Sequence, residues 1–306
     1  MTASTTTTTA DGARQTAAKP FLPSTRRRVP GAALVLAAMV VLHTGSALAT
    51  ELFDSVGPAG TTWLRIAFAA VVLLACTGRS LLPALRAASR RDLIATALLG
   101  TVSAAMMLLF SEATARVPLG TATALEFLGP LTVAVAASKR RSELAWLALA
   151  AAGVLLLTSP WTGAISGAGV LFGLASAACW ALYVIGTAHV GSRFTAQHGL
   201  AVSLTVAAVV SAPFGVPAAA ANLDWGVVTA AAGIAVLMPL LPFLLEMTAL
   251  QRIGKTTYGT LVGLEPAVSL LAGLILISQT PTAVQAVGTA LVVAAGIGAA
   301  RSEQRS

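Results

Sequence analysis

The second half of this chain repeats the first half. A constant shift of 136 positions superimposes like residues of the two halves, including Gly167 on Gly31, Ala249 on Ala113, Arg252 on Arg116, Thr257 on Thr121, Leu261 on Leu125 and Pro266 on Pro130. Each half holds an odd number of apolar segments, so the second half must be inserted upside down relative to the first. Inverted repeats are the architecture of many secondary transporters, and this repeat therefore indicates transport.

Ten apolar segments are long enough to cross a bilayer, which takes about 20 helical residues. They are predicted at residues 30–50, 58–78, 92–112, 118–138, 143–159, 166–189, 197–217, 225–249, 255–277 and 281–300. The chain then divides into a Thr- and Ala-rich cytoplasmic tail at 1–29, expected to be disordered, repeats at 30–159 and 166–300, and a short cytoplasmic tail at 301–306. The predicted fold class is all-α integral membrane, with ten transmembrane helices as two inverted five-helix repeats.

The distribution of charge predicts the orientation of these helices. Only 10% of the residues are charged, and the net charge is +8. The basic residues form short clusters between apolar segments, which is typical of contacts with anionic lipid and excludes nucleic acid as the favoured partner. With the N-terminus in the cytoplasm, the cytoplasmic face holds Arg26, Arg27, Arg28, Arg79, Arg86, Arg90, Arg91, Lys139, Arg140, Arg141, Arg193, Arg252, Lys255, Arg301 and Arg305. The positive-inside rule thus predicts a multi-pass protein of the inner (plasma) membrane with both termini cytoplasmic.

The first apolar segment also has features of a cleaved export signal. Three arginines at 26–28 precede it, and Ala47-Leu48-Ala49 is a plausible signal-peptidase site. A retained helix is the favoured interpretation, because the segment is long enough to span a bilayer and its counterpart in the second half is internal.

Two glutamates within the apolar segments are candidates for the transport site. An ionisable side chain at this depth costs free energy and is expected to face a cavity. Glu126 precedes Gly129 and Pro130 in the fourth segment, and Glu265 directly precedes Pro266 at the equivalent place in the ninth. Each proline is expected to break its helix, so that the two carboxyls converge near the bilayer centre. Glu126 could bind substrate and Glu265 could carry a proton, while either could instead be a structural, hydrogen-bonded carboxyl.

Other polar and aromatic residues in the segments are secondary candidates. Glu246 follows Pro239 and Pro242 and could take part in proton coupling or reach towards the membrane surface. Arg65 could bind a substrate carboxylate or pair with Glu51 or Asp54, and His43 could contact substrate or be a core histidine. Trp180 and Tyr183 could line the cavity or simply pack in the core. Glu112 is expected at a solvated helix end.

The sequence contains none of the usual catalytic patterns. It has no nucleophile motif, no His pair at metal-ligand spacing and no phosphate-binding glycine loop, so we expect no enzyme activity, no cofactor and no metal. Transport would then be driven by a gradient.

Several strings of the sequence together carry a family resemblance. They are TTWLR at 61–65, VPLG at 117–120 followed by ALEFLGPL at 124–131, ACWALY at 178–183, LEMTAL at 245–250 and LEPA at 264–267. On these strings the chain resembles the EamA-type drug/metabolite transporter superfamily over residues 30–300, and within it the bacterial threonine/homoserine exporters. At one point it departs from the pattern, because His43-Thr44-Gly45 stands where many relatives carry Trp-Gly.

The resemblance implies an inner-membrane exporter with a central cavity between two five-helix halves. It further implies that the substrates are amphiphilic amino acids or related metabolites, exchanged for protons. The favoured interpretation is a proton-coupled exporter of small neutral amino acids of the threonine/homoserine type. The substrate contacts would be Glu126, Arg65, His43, Trp180 and Tyr183, with Glu265 and Glu246 in proton coupling. The alternatives are export of other metabolites or drugs of the same superfamily and, in another class, a lipid flippase or membrane-embedded enzyme.

Overall fold

The structure is a computed structural model that describes residues 30–137, 144–163, 165–190 and 194–302, and in these ranges the regular structure is entirely helical. Twelve α-helices follow one another: α1 Gly31–Glu51, α2 Phe53–Ala87, α3 Arg90–Thr114, α4 Leu119–Ala137, α5 Leu144–Thr158, α6 Gly167–Val190, α7 Ala196–Ala220, α8 Trp225–Ala235, α9 Leu241–Leu250, α10 Lys255–Val262, α11 Glu265–Leu276 and α12 Ala283–Ser302. The tails at 1–29 and 303–306, and the predicted cytoplasmic Lys139, Arg140, Arg141 and Arg193, lie outside the described residues.

These helices form ten apolar spans, which confirms the predicted fold class. Nine spans of the described chain have the length and composition to cross a membrane, and α5 is a shorter apolar helix. The eighth span joins α8 to α9 through a π-helical segment at Val236–Leu240, and the ninth span consists of α10 and α11. Large apolar side chains such as Val71, Leu171 and Ile275 are exposed on the outside of the bundle, where lipid would cover them.

The two spans that carry the central glutamates differ from each other. The ninth span is interrupted, since α10 ends at Val262 and α11 begins at Glu265, with Pro266 in its first turn. The fourth span is one continuous helix, so the break expected at Gly129 and Pro130 is wrong. Pro130 still removes a backbone hydrogen bond, but the remaining helical bonds and the close packing of Gly129 on α6 keep α4 helical.

The contacts between helices follow a pattern that exchanges the two halves of the chain. When the halves are exchanged, the α3–α6 contact corresponds to the α1–α9 contact. In the same way, the α4–α6 contact corresponds to α1–α11, and the α3–α7 contact corresponds to α2–α8. Exchange of the halves leaves three contacts unchanged, namely α2–α7, α4–α11 and α5–α12. Two halves related by a twofold axis would produce this pattern.

Small residues allow the helices to approach closely. A Cβ atom on Gly129 would collide with the carbonyl of Ala177 on α6, and one on Gly153 would lie 2.6 Å from the carbonyl of Gly288 on α12. Such glycine contacts are how helices associate within a membrane, where no hydrophobic effect drives them together. These glycine contacts hold the helices together around the buried polar residues of the bundle.

Candidate substrate site

Glu126 lies at the contact between α4, α3 and α6. The Ser176 hydroxyl on α6 donates a hydrogen bond to its Oε1, with 2.6 Å between the oxygens, and the same hydroxyl oxygen lies 3.0 Å from the carbonyl oxygen of Met106 on α3. Ser176 is fully buried, whereas Glu126 keeps part of its surface free. The hydrogen bond therefore fixes one carboxyl oxygen of Glu126.

Glu265 lies at the break of the ninth span and faces the first half of the chain. Its Oε1 is 3.7 Å from Nε2 of His43, in the middle of α1. Both residues are buried, and neither ring nitrogen of His43 has a hydrogen-bond partner among the described residues. Glu265 is also close enough to Glu126 and Glu246 for their charges to interact. The carboxyls of Glu265 and Glu126 and the imidazole of His43 thus lie near one another in the bundle.

Arg65 on α2 is buried and has no ion-pair partner among the described residues. It is 1% exposed, and its Nε and Nη1 atoms have no hydrogen-bond partner in the described part of the chain. The expected alternative pairing with Glu51 or Asp54 is wrong, because no carboxylate among the described residues is within 4.0 Å of Arg65. Its charge interacts with that of Glu126, but from a longer distance than an ion pair. A buried arginine left unpaired is costly unless something else binds it.

A small pocket adjoins Arg65. It lies towards the end of the bundle where α1 ends and α2 begins, which is opposite the end that carries Gly31 and Arg301. Its lining consists of Arg65, Ser46, Ala49, Phe53, Phe110, Ser111, Thr114 and Met238. The pocket therefore combines one cation and three hydroxyl groups with apolar walls, as small-molecule sites commonly do.

Glu246 belongs to a second polar group, nearer the end of the bundle that carries Gly31. The Tyr258 hydroxyl is within hydrogen-bonding reach of the Glu246 carboxyl, and the charge of Glu246 also acts on Tyr183. Tyr183 packs at the same time beside the cluster of Leu99 and Phe194. The two tyrosines of the chain thus come from α6 and α10 to the same carboxyl.

The other predicted residues lie in different surroundings. Trp180 packs edge-to-face on Phe127, with 6.4 Å between the ring centroids, and belongs to the core between α4, α5 and α12. It does not line the Arg65 pocket. Glu112, near the C-terminus of α3, forms an ion pair with Arg116, which follows that helix at the end of the bundle.

Several polar contacts of the site were not predicted from the sequence. Ser176, Ser46 and Ser111 have no distinguishing feature in a sequence rich in small residues, so nothing in their neighbourhood identifies them. Tyr258 could have been found, since it is one of only two tyrosines and both contact the site region. Within the described residues no group of His, Cys, Asp and Glu side chains has the arrangement of a metal site.

Comparisons with known proteins agree with this fold. The model of the EamA-like transporter family matches residues 167–300. The threonine/homoserine exporter RhtA of Salmonella typhimurium strain LT2 is 33% identical over 293 residues, which cover 93% of this chain and 97% of the relative. The exporter of the same name from Escherichia coli strain K12 is 32% identical over 286 residues, or 90% of this chain and 94% of the relative.

One solved crystal structure also matches nearly the whole chain. It covers 90% of this chain and 98% of its own, with a TM-score of 0.59 and 17% sequence identity, so the match shows the fold alone. The identity to the two exporters over almost their full length establishes the family, whose members are transporters rather than enzymes. This chain is a multi-pass membrane protein that belongs to the EamA-like transporter family.

Proposed function

We propose that this protein exports small neutral amino acids of the threonine and homoserine type across the bacterial inner membrane, in exchange for protons. Full-length similarity to exporters of that name supports the substrate class. The observation that carries the proposal is the relationship of Arg65 to Glu126. These two opposite charges interact within the bundle without forming an ion pair.

In this proposal a zwitterionic amino acid binds between these two side chains. Its carboxylate would accept hydrogen bonds from the unpartnered Nε and Nη1 of Arg65, which suit a carboxylate because the guanidinium is planar and can bind with two parallel bonds. Its ammonium group would donate to the Glu126 carboxyl, whose other contact is Ser176. The substrate then provides an ion-pair partner for each of the two side chains, which favours a zwitterion over a neutral or singly charged molecule.

Proton exchange follows from the neighbouring carboxyl of Glu265. Glu126 and Glu265 are close enough to interact electrostatically. When a positive charge binds to one of these carboxyls, the other carboxyl therefore attracts a second positive charge less strongly. The substrate ammonium group and a proton therefore compete for the pair, and competition for a shared site is a simple basis for exchange. One proton that crosses a potential of 100 mV supplies about 2.3 kcal/mol, enough for about a fifty-fold gradient of a neutral substrate.

The charged residues at the ends of the bundle support the proposed orientation. Exposed basic residues lie at the end that carries Gly31, among them Arg79, Arg86, Arg90, Arg91, Arg252 and Arg301. Trp161 and Trp225 are exposed at the other end, as expected for aromatic residues at a membrane surface. We place the basic end and both termini in the cytoplasm, so that the Arg65 pocket lies on the exit side. In this arrangement the repeats at 30–159 and 166–300 have inverted topology.

The proposal is tested with the purified protein in proteoliposomes. Vesicles loaded with labelled threonine, homoserine, leucine, phenylalanine and lysine, one at a time, are given a proton gradient, and release is followed with and without an uncoupler. We expect threonine and homoserine to leave against their gradient, and the uncoupler to abolish this uphill movement. Release of phenylalanine or lysine in preference to threonine would overturn the substrate class, and uphill release with the uncoupler present would overturn proton exchange.

A further inference from the structure

The Arg65 pocket offers hydroxyl groups that the proposed zwitterion contacts do not use. Ser46 comes from α1, and Ser111 and Thr114 come from the last turns of α3. Ser46 and Ser111 are each 5% exposed. They face the same small space as the guanidinium, so a substrate whose carboxylate lies on Arg65 would direct its other groups towards them.

Ser111 has hydrogen-bonding capacity left over. Its Oγ lies 2.5 Å from Oγ1 of Thr62, which is fully buried and does not line the pocket. The two hydroxyl groups carry two protons between them. One proton forms the hydrogen bond between the two oxygens, and the other remains available for a second hydrogen bond. If Thr62 donates to Ser111, the Ser111 hydroxyl is free to donate into the pocket.

Ser46 is in a similar position. Its hydroxyl donates to the sulfur of Met238, with 3.3 Å between the oxygen and the sulfur, and a thioether is a weak acceptor. A hydroxyl oxygen would be a stronger acceptor than the sulfur. Thr114 differs, since it already donates to the Ser111 carbonyl oxygen in its own helix.

We infer that Ser46 and Ser111 recognise a hydroxyl group on the side chain of the substrate and so determine specificity for hydroxylated amino acids. This inference rests on the proposed function, because it takes the substrate carboxylate to be bound at Arg65. A substrate hydroxyl can accept from one serine and donate to the other. Valine, which replaces the hydroxyl of threonine with a methyl group, leaves both serines without this partner, and norvaline does the same relative to homoserine.

The inference is tested by competition against the exchange of labelled threonine in proteoliposomes. In the wild-type protein, unlabelled threonine should compete about threefold to tenfold better than valine, and homoserine better than norvaline by a similar factor, since one net hydrogen bond is worth this much. Ser111→Ala and Ser46→Ala should each bring the two ratios closer to one while exchange continues. Ser103→Ala is the matched control, because it removes a buried hydroxyl of α3 that bonds to the backbone of its own helix, outside the pocket.

Different results separate this inference from the proposed function. Wild-type exchange of threonine with equal competition by valine overturns the hydroxyl pocket and leaves the exporter proposal standing. The hydroxyl pocket is also overturned, with the exporter proposal left standing, if both Ser111→Ala and Ser46→Ala keep the wild-type competition ratios. The same conclusion holds if Ser103→Ala loses as much selectivity as those two variants. If threonine is not exchanged at all, both proposals are wrong. The comparison within the wild-type protein does not depend on whether any variant folds.

Discussion

The imidazole Nε2 of His43 lies 3.7 Å from Oε1 of Glu265, and this contact joins the middle of α1 to the first residue of α11. The distance is slightly longer than a hydrogen bond, so a small movement of either helix would bring the two atoms within bonding distance or separate them further. The interruption of the ninth span allows Glu265 to face the first half of the chain at this point. The carboxyl thus lies where a movement of one half against the other would change its surroundings.

Replacement of Glu265 by glutamine tests its role as the proton carrier. The amide has nearly the same shape but cannot take up or release a proton. We expect Glu265→Gln to lose uphill export driven by a proton gradient, yet to keep the exchange of labelled for unlabelled threonine, since exchange needs no net movement of protons. Both rates are measured in the same proteoliposome preparation.

The matched control for this substitution is Glu112→Gln. Glu112 is a carboxyl of a membrane span as well, but it pairs with Arg116 at the end of α3 and away from the centre. Uphill export by Glu112→Gln should stay near the wild-type rate. Uphill export at the wild-type rate by Glu265→Gln would show that the proton travels by another group.

Glu126 should be required for both uphill export and exchange. Glutamine at this position keeps the contact with Ser176 but presents no negative charge to the substrate ammonium group. A charge-assisted hydrogen bond contributes about 1.5–3 kcal/mol, so Glu126→Gln should weaken substrate binding by about tenfold or more and reduce both rates. Inserted protein with wild-type exchange would make this carboxyl a structural one and would remove the centre of the proposed site.

Substitution of Arg65 by lysine tests whether the guanidinium binds a carboxylate. Lysine keeps the charge but cannot form two parallel hydrogen bonds from a planar group. We expect Arg65→Lys to raise the substrate concentration for half-maximal exchange by about tenfold while the maximal rate falls less. Arg116→Lys, on a partly exposed arginine at the end of α3, is the control and should leave both values unchanged. Unaltered affinity in Arg65→Lys would contradict the proposed binding mode.

The fold could be predicted because it depends on features that the sequence repeats many times. Ten apolar segments, the turns between them and the distribution of basic residues all favour the same ten-span protein, and each feature extends over many residues. The continuity of α4 across Pro130 could not be predicted in this way. Whether a proline interrupts a helix depends on the neighbouring helix, and the contact of Gly129 with Ala177 joins residues from different halves of the chain.

The site could be predicted only in part, for a similar physical reason. A charged residue in an apolar segment stands out by its cost in a membrane, which is how Glu126, Glu265, Glu246 and Arg65 were found. A serine has no such cost, because it can donate to the backbone of its own helix. The contacts of Ser176 with Glu126 and of Ser111 with Thr62 become visible only when the helices are packed together.

The orientation of the chain can be tested with reporters. A reporter fused after Ser306 should indicate the cytoplasm, and reporters inserted near Gly57 or Trp161 should indicate the exterior, because the exposed basic residues cluster at the other end of the bundle. A mature N-terminus at Thr50 would show that the first span is removed, and with it the partner of Glu265.

The last prediction concerns the glycine that holds α4 against α6. A methyl group at Gly129 would collide with the carbonyl of Ala177, which belongs to the backbone and cannot move aside as a flexible side chain can. Overpacking of this kind costs about 1–3 kcal/mol, so Gly129→Ala should lower the thermal midpoint of the detergent-purified protein by several degrees and displace Glu126, three residues away on the same helix. Gly233→Ala on α8 is the matched control: it also adds one methyl group to a membrane helix, but nothing lies within 4 Å of the added atom. Its midpoint should equal that of the wild type or exceed it, because alanine favours the helix over glycine by about 1 kcal/mol. Equal midpoints for the two variants would mean that the close contact between α4 and α6 does not hold the site together.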